Sequence, residues 1–129
     1  MQLELSEQER EALKDLARQS IWQRFDPNHE LPQAPTQQLE EHLGAFVTLK
    51  QRGHLRGCIG HVIGDRALWQ TIADMAQSAA FDDPRFPALQ AEELEELEIE
   101  ISVLGPLEPV TEPDMVRVGR HGLLVQRSV

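Results

Sequence analysis

The stretch HLRGCIGHV, residues 54–62, holds the only cysteine of the sequence, set between two glycines and two positions after an arginine. A thiol becomes a nucleophile once ionised, and a cation beside it raises the ionised fraction. Read as a strand, the stretch puts Arg56, Cys58 and Gly60 on one face and Leu55, Gly57 and Ile59 on the other, because side chains alternate. The Leu55/Ile59 face is then the core face. Cys58 looks away from it, with the Arg56 guanidinium about 7 Å along the strand. The same residues also fit an inert thiol buried under a second layer. Gly57 and Gly60 mark a bulge or the close approach of another group.

Other chemistries fit less well. His54 and Cys58 share a face but lie roughly 13 Å apart, too far to hold one ion, and His61 points the other way, so no metal site is expected. Strand, glycine-rich turn and helix follow one another as in anion-binding loops. The spacing of GCIGHVIGD nonetheless matches neither the P-loop nor the dinucleotide fingerprint, Asp65 at the helix start would repel an anion, and no cofactor is expected. Asp83, Arg85 and His121 remain. Asp-Pro-Arg in a turn commonly caps its own backbone, and His121 precedes Gly122 at the entry to a strand. With Cys58 they are also the residue types of a thiol nucleophile, its base and an anion holder.

The charge balance bears on both readings. Twenty-two acidic against 12 basic residues give a net charge of −10, which argues against broad nucleic-acid binding. AEELEELEIE (91–100) carries six Glu and no cation. Arg52, Arg56 and Arg66 surround the cysteine, while Arg117, Arg120 and Arg127 lie near the end. These arginines form either one small electropositive pocket or scattered surface charge. No apolar run is long enough to span a membrane, the N-terminus lacks the features of a signal peptide, and a lone cysteine allows no disulfide within the chain. A cytoplasmic location is expected.

The elements that must position these residues are readable in outline. The 129 residues fit one domain. Ser6 and Glu9 form a capping box ahead of Leu13, Leu16, Ala17 and Ile21, which predicts an amphipathic helix over 7–24. Residues 25–35 are a proline-rich connection. The apolar run 44–50, the turn QRGH and residues 55–61 read as a β-hairpin. Asp65 is expected to N-cap a helix over about 66–80 with Leu68, Trp69, Ile72, Ala73, Ala76 and Ala79 as its apolar stripe. FDDPRFPAL (81–89) is a loop. LEIEISVL (97–104) alternates, so Leu97, Ile99, Ile101 and Val103 line the core and Glu98, Glu100 and Ser102 face water. A final strand is expected over 121–126. The class is α+β, a mixed and largely antiparallel sheet with flanking helices.

LRGCIG (55–60) resembles the signature hexapeptide of the AMMECR1 domain family. GAFVTL before it, then AAFDDPRFPAL (79–89), EIEISVL and GRHGLL (119–124), are similar to further blocks of that family in the same order. The resemblance implies one AMMECR1-like domain over 1–129, a main sheet with flanking helices and a smaller subdomain. Family members usually continue past the point where this chain stops, so the resemblance also implies a missing C-terminal segment, natural or not. The final strand would then lack its hairpin partner, and such an edge invites pairing with another chain.

No reaction is assigned to the family. The resemblance implies a shared pathway with Memo-like and radical SAM proteins, which are expected as partners. Its motif positions here are Arg56, Gly57, Cys58, Gly60, Asp83, Arg85, His121 and Gly122.

Two functions fit these residues. One is a binding module in which Cys58 is structural. The other is an enzyme in which Cys58 attacks a small anionic substrate, His121 acts as base, and Arg56, Gly57, Gly60, Asp83 and Arg85 form the ligand site. In the second, Asp83 balances only one of the two arginines, and the surplus positive charge binds the anion.

Overall fold

The computed structural model describes residues 4–108 and 123–128. Helix α1 spans Glu7–Gln23, strands β1 and β2 span Ala45–Gln51 and His54–His61, helix α2 spans Leu68–Phe81, and strands β3 and β4 span Leu97–Glu108 and Leu123–Ser128. Short 3-10 segments at Gln37–Glu40 and Ala91–Glu96 precede β1 and β3. The four strands form one antiparallel sheet in the order β2-β1-β3-β4.

Helix α1 starts where its capping box requires: the Glu9 N–H donates to Ser6 Oγ (3.1 Å) and the Ser6 N–H to Glu9 Oε1 (2.9 Å). Hydrogen bonds, chiefly from Thr36 and from Ser6, hold the Glu9 carboxyl below its usual range and fasten the helix start to the segment before β1. The hairpin turns through Arg52 (φ 53°) and Gly53 (φ 79°), the left-handed pair of a two-residue turn that matches the strand twist.

Helix α2 departs from expectation at its start. Asp65 caps nothing; the helix begins at Leu68 with Ala67 in the N-cap position. The entry is held by tertiary contacts instead: Ala67 forms an isolated β-bridge with His42, and the Leu68 N–H donates to the Glu41 carbonyl (2.7 Å). Asp65 bonds His61 Nε2 at 2.9 Å.

Both helices lie on one face of the sheet. Leu13, Leu16, Ala17 and Ile21 of α1 meet Ile72, Ala73, Ala76 and Ala80 of α2 above Ala45, Val47, Leu49, Ile99, Ile101 and Val103. The alanines of α2 let the layers come close: Ser20 Oγ of α1 donates to the Ala73 carbonyl, and Gln77 Nε2 donates back to the Ser20 carbonyl (2.8 Å). Strand β3 alternates as its sequence predicts, with Leu97, Ile99, Ile101 and Val103 buried and Glu98 and Glu100 exposed. No described helix is long and apolar enough to cross a membrane.

Candidate functional site

Residues directly opposite in an antiparallel pair project to the same side. Cys58 faces Thr48, Gly60 faces Phe46 and Gly57 faces Leu49. Leu49 belongs to the core, so Gly57 looks toward the helices, while Cys58 and Gly60 share the opposite face with Phe46, Thr48 and Lys50. Between Leu49 and Lys50 the register shifts, because Lys50 pairs with Leu55 rather than with Arg56. Arg56 is therefore the extra residue of a β-bulge, which interrupts alternation. Two expectations change as a result. Leu55 lies with Lys50 on the outer face, 41% exposed, rather than in the core. Arg56, expected beside Cys58, is buried and directed elsewhere.

The Arg56 guanidinium grips the segment after α2. Its Nε and Nη2 donate to the two carboxylate oxygens of Glu93 (2.9 and 3.1 Å), and Nη1 donates to the Pro87 carbonyl (2.9 Å). This contact is the main cause holding the Glu93 carboxyl below its usual range.

Asp83 and Arg85 meet Cys58 through its backbone. Asp83, 4% exposed, accepts the Cys58 N–H at Oδ2 (3.0 Å) and the Arg85 N–H at Oδ1 (3.1 Å). Arg85 Nε and Nη2 close on the same carboxylate at 3.0 and 2.7 Å, and Nη2 reaches the Cys58 carbonyl at 3.5 Å. The Arg85 side chain is the largest cause holding Asp83 well below the usual carboxylate range; the two N–H donors add to it, and burial opposes it. The thiol itself is half-buried and lies 3.2 Å from Thr48 Oγ1, a hydrogen bond in which either group can donate.

The expected surplus of positive charge is absent among the described residues. Arg56 is matched by Glu93 and Arg85 by Asp83. Arg52 pairs with Glu96, and Arg66 with Asp65 and Asp74. His121, expected as the base, lies outside the described residues. No group of three His, Cys, Asp or Glu side chains suited to a metal ion occurs among the described residues.

A family model described as AMMECR1 matches residues 14–129. The chain belongs to the AMMECR1 family. Its relatives include a protein of Methanosarcina acetivorans, 48% identical over 93 residues that cover 68% of this chain and 47% of that protein. Another, from Methanothermobacter thermautotrophicus, is 39% identical over 132 residues, covering 96% and 69%. The crystal structure of an uncharacterised protein from Pyrococcus horikoshii superposes with a TM-score of 0.71 at 33% identity, covering 88% of this chain and 59% of that one. The chain thus spans about half the length of the Methanosarcina acetivorans relative. The likeness to the Pyrococcus structure agrees with the antiparallel sheet and flanking helices described above.

Within this AMMECR1 domain, Gly57 and Gly60 are accounted for by packing. A Cβ on Gly57 would strike the Ala79 carbonyl oxygen of α2, and one on Gly60 would strike the Phe46 ring. Two members of the cluster escaped the sequence reading. Glu93 sits in an acidic run where no single Glu stands out; its one signal is its place three residues after Gln90, whose N–H donates to the Glu93 carboxylate (2.8 Å). Thr48 could be found only by fixing the hairpin register. A separate groove of about 540 Å³ lies between α1, residues 31–37 and the start of α2, lined in part by Leu16, Leu31 and Trp69. None of its lining residues belongs to the Cys58 cluster.

Proposed function

We propose that this AMMECR1 domain is a binding module acting with Memo-like and radical SAM proteins, and that its Arg56-Gly57-Cys58 motif is architectural. One observation carries the reading: the charged motif residues are consumed internally. Arg56 is spent on Glu93 and Pro87, and the Asp83–Arg85 pair is spent on its own turn and on the backbone of Cys58. An anion-binding catalytic site keeps cationic donors available to its substrate. Here the guanidiniums already have carboxylate partners, and these contacts tie β2 to the segment after α2.

Sedimentation velocity of the purified chain mixed with the Memo-like and radical SAM proteins of its own organism tests the reading. A complex with at least one of them is expected, formed equally by wild type and by Cys58→Ser. No complex with either, or a complex abolished by Cys58→Ser, overturns it.

A further inference from the structure

β2 is the outermost described strand on its side of the sheet, and its free edge is unevenly protected. The Cys58 N–H points away from β1, because it donates to Asp83. Backbone groups two residues apart along a strand point the same way, so the N–H and C=O of Gly60 also face outward. Asp83 and Arg85 serve the Cys58 N–H and C=O as a neighbouring strand would; among the described residues no side chain does so for Gly60.

Beyond the half-buried His61, the next two residues, Val62 and Ile63, are apolar and exposed. Of the five exposed large hydrophobic residues among the described residues, Leu55, Val62 and Ile63 belong to β2 or the two positions just after it, with Val62 at 47% and Ile63 at 62% exposure. Sheet edges are ordinarily blunted with charge or proline at such places. The loop that presents them is also held firmly. Gly44 packs against the carbonyls of His61 and Val62 and Gly64 against that of His42, leaving no room for a Cβ at either glycine. His61 bonds Asp65, and His42 bridges Ala67. A surface already ordered in this way loses little freedom on binding.

We infer that the free edge of β2 at Gly60, with Val62 and Ile63 beside it, docks an extended apolar segment of a partner protein, flanked by basic residues, as an added strand. The inference rests on the binding-module reading and names its surface. An outward N–H and C=O on one residue are satisfied together by another extended backbone, and the exposed Val62 and Ile63 supply apolar contacts next to it. Basic flanks suit a chain of net charge −10. A second copy fits poorly. It carries the same charge, and its own Asp83–Arg85 pair would obstruct a symmetric pairing.

The probe is a blocked peptide of alternating valine and threonine with a lysine at each end, titrated into the 15N-labelled chain. The Gly60 amide should exchange rapidly in the free chain, then shift and become protected as peptide is added. The same peptide N-methylated at alternate residues should not bind. Val62→Lys with Ile63→Lys should weaken binding roughly tenfold or more, with the melting temperature and Cys58 amide protection retained. A Gly60 amide protected without peptide, equal binding of the N-methylated peptide, unchanged binding by the double variant, or a concentration-dependent dimer that the variant abolishes would each overturn the inference. Complex formation with a Memo-like or radical SAM protein that the double variant leaves intact would remove this site and leave the binding module standing.

Discussion

The carboxylate of Asp83 takes the place of a neighbouring strand for Cys58, accepting its backbone N–H at 3.0 Å from a position 25 residues away in sequence. Its pKa is depressed in the folded chain, so its contribution to stability is present above the ordinary carboxylate value of 3.8 and is lost as the pH falls below it toward the lower folded value. Asp83→Asn should lower the urea midpoint at pH 7, flatten the acid limb of midpoint against pH, and speed exchange of the Cys58 amide. Superimposable acid limbs for the two proteins would count against this role.

Arg56 and Arg52 both pair with a Glu of the 91–96 segment but differ in surroundings. The Arg56 side chain is 10% exposed and that of Arg52 78%. Arg56→Ala strands a partly buried carboxylate and a carbonyl and should cost about 1.5–3 kcal/mol; Arg52→Ala should cost at most about 1 kcal/mol. Chemical denaturation of both variants checks the ranking, and equal losses would refute it.

Gly57 and Gly53 should fail for different reasons. Gly57→Ala drives a methyl into the Ala79 carbonyl and should cost about 1–3 kcal/mol with α2 displaced. Gly53 has open space around it but a φ of +79°, so Gly53→Ala should cost about 1–2 kcal/mol with no displacement. Gly53→Asn should recover most of that loss, because Asn tolerates the left-handed region. Amide spectra and melting curves separate the two cases.

Ile101 is 1% exposed at the centre of the sheet, and Ile101→Ala should cost roughly 2–5 kcal/mol. Glu98→Ala and Glu100→Ala, on the wet face of the same strand, should each stay within about 1 kcal/mol, including loss of the Lys50–Glu100 pair. An unchanged melting temperature for Ile101→Ala would contradict the assigned face.

The half-buried Cys58 thiol, bonded to Thr48 and without an adjacent unpaired guanidinium among the described residues, should react with iodoacetamide more slowly than a small free thiol at pH 7. Thr48→Val should accelerate the reaction by freeing the sulfur. Rapid labelling of the folded wild type would instead favour the nucleophile reading.

Much of the scaffold is legible in the sequence because it depends on local signals. The Ser6–Glu9 capping box starts α1 within one residue of expectation, the alternation from Leu97 to Val103 assigns both faces of β3, and QRGH marks the hairpin turn. What is not legible depends on partners distant in sequence. A one-residue bulge leaves no mark on the residue types around Arg56, yet it reverses the face of Leu55. The start of α2 is set by Glu41 and His42 rather than by Asp65. The charge of the Cys58 cluster cannot be totalled until Glu93, one of six Glu in a ten-residue run, is placed against Arg56.

The Asp83–Arg85 pair lies in the connection that leads from β2 through α2 to β3. β2 and β3 run parallel to each other with β1 inserted between them. The competing arrangement is a direct crossover, with β3 laid beside β2 on its outer edge. That arrangement needs the Cys58 N–H and C=O, which the pair already occupies. In the folded sheet the pair occupies those groups, and β3 lies on the other side of β1. The Asp-Pro-Arg segment thus stands at Cys58 where the backbone of a strand beside β2 would otherwise lie.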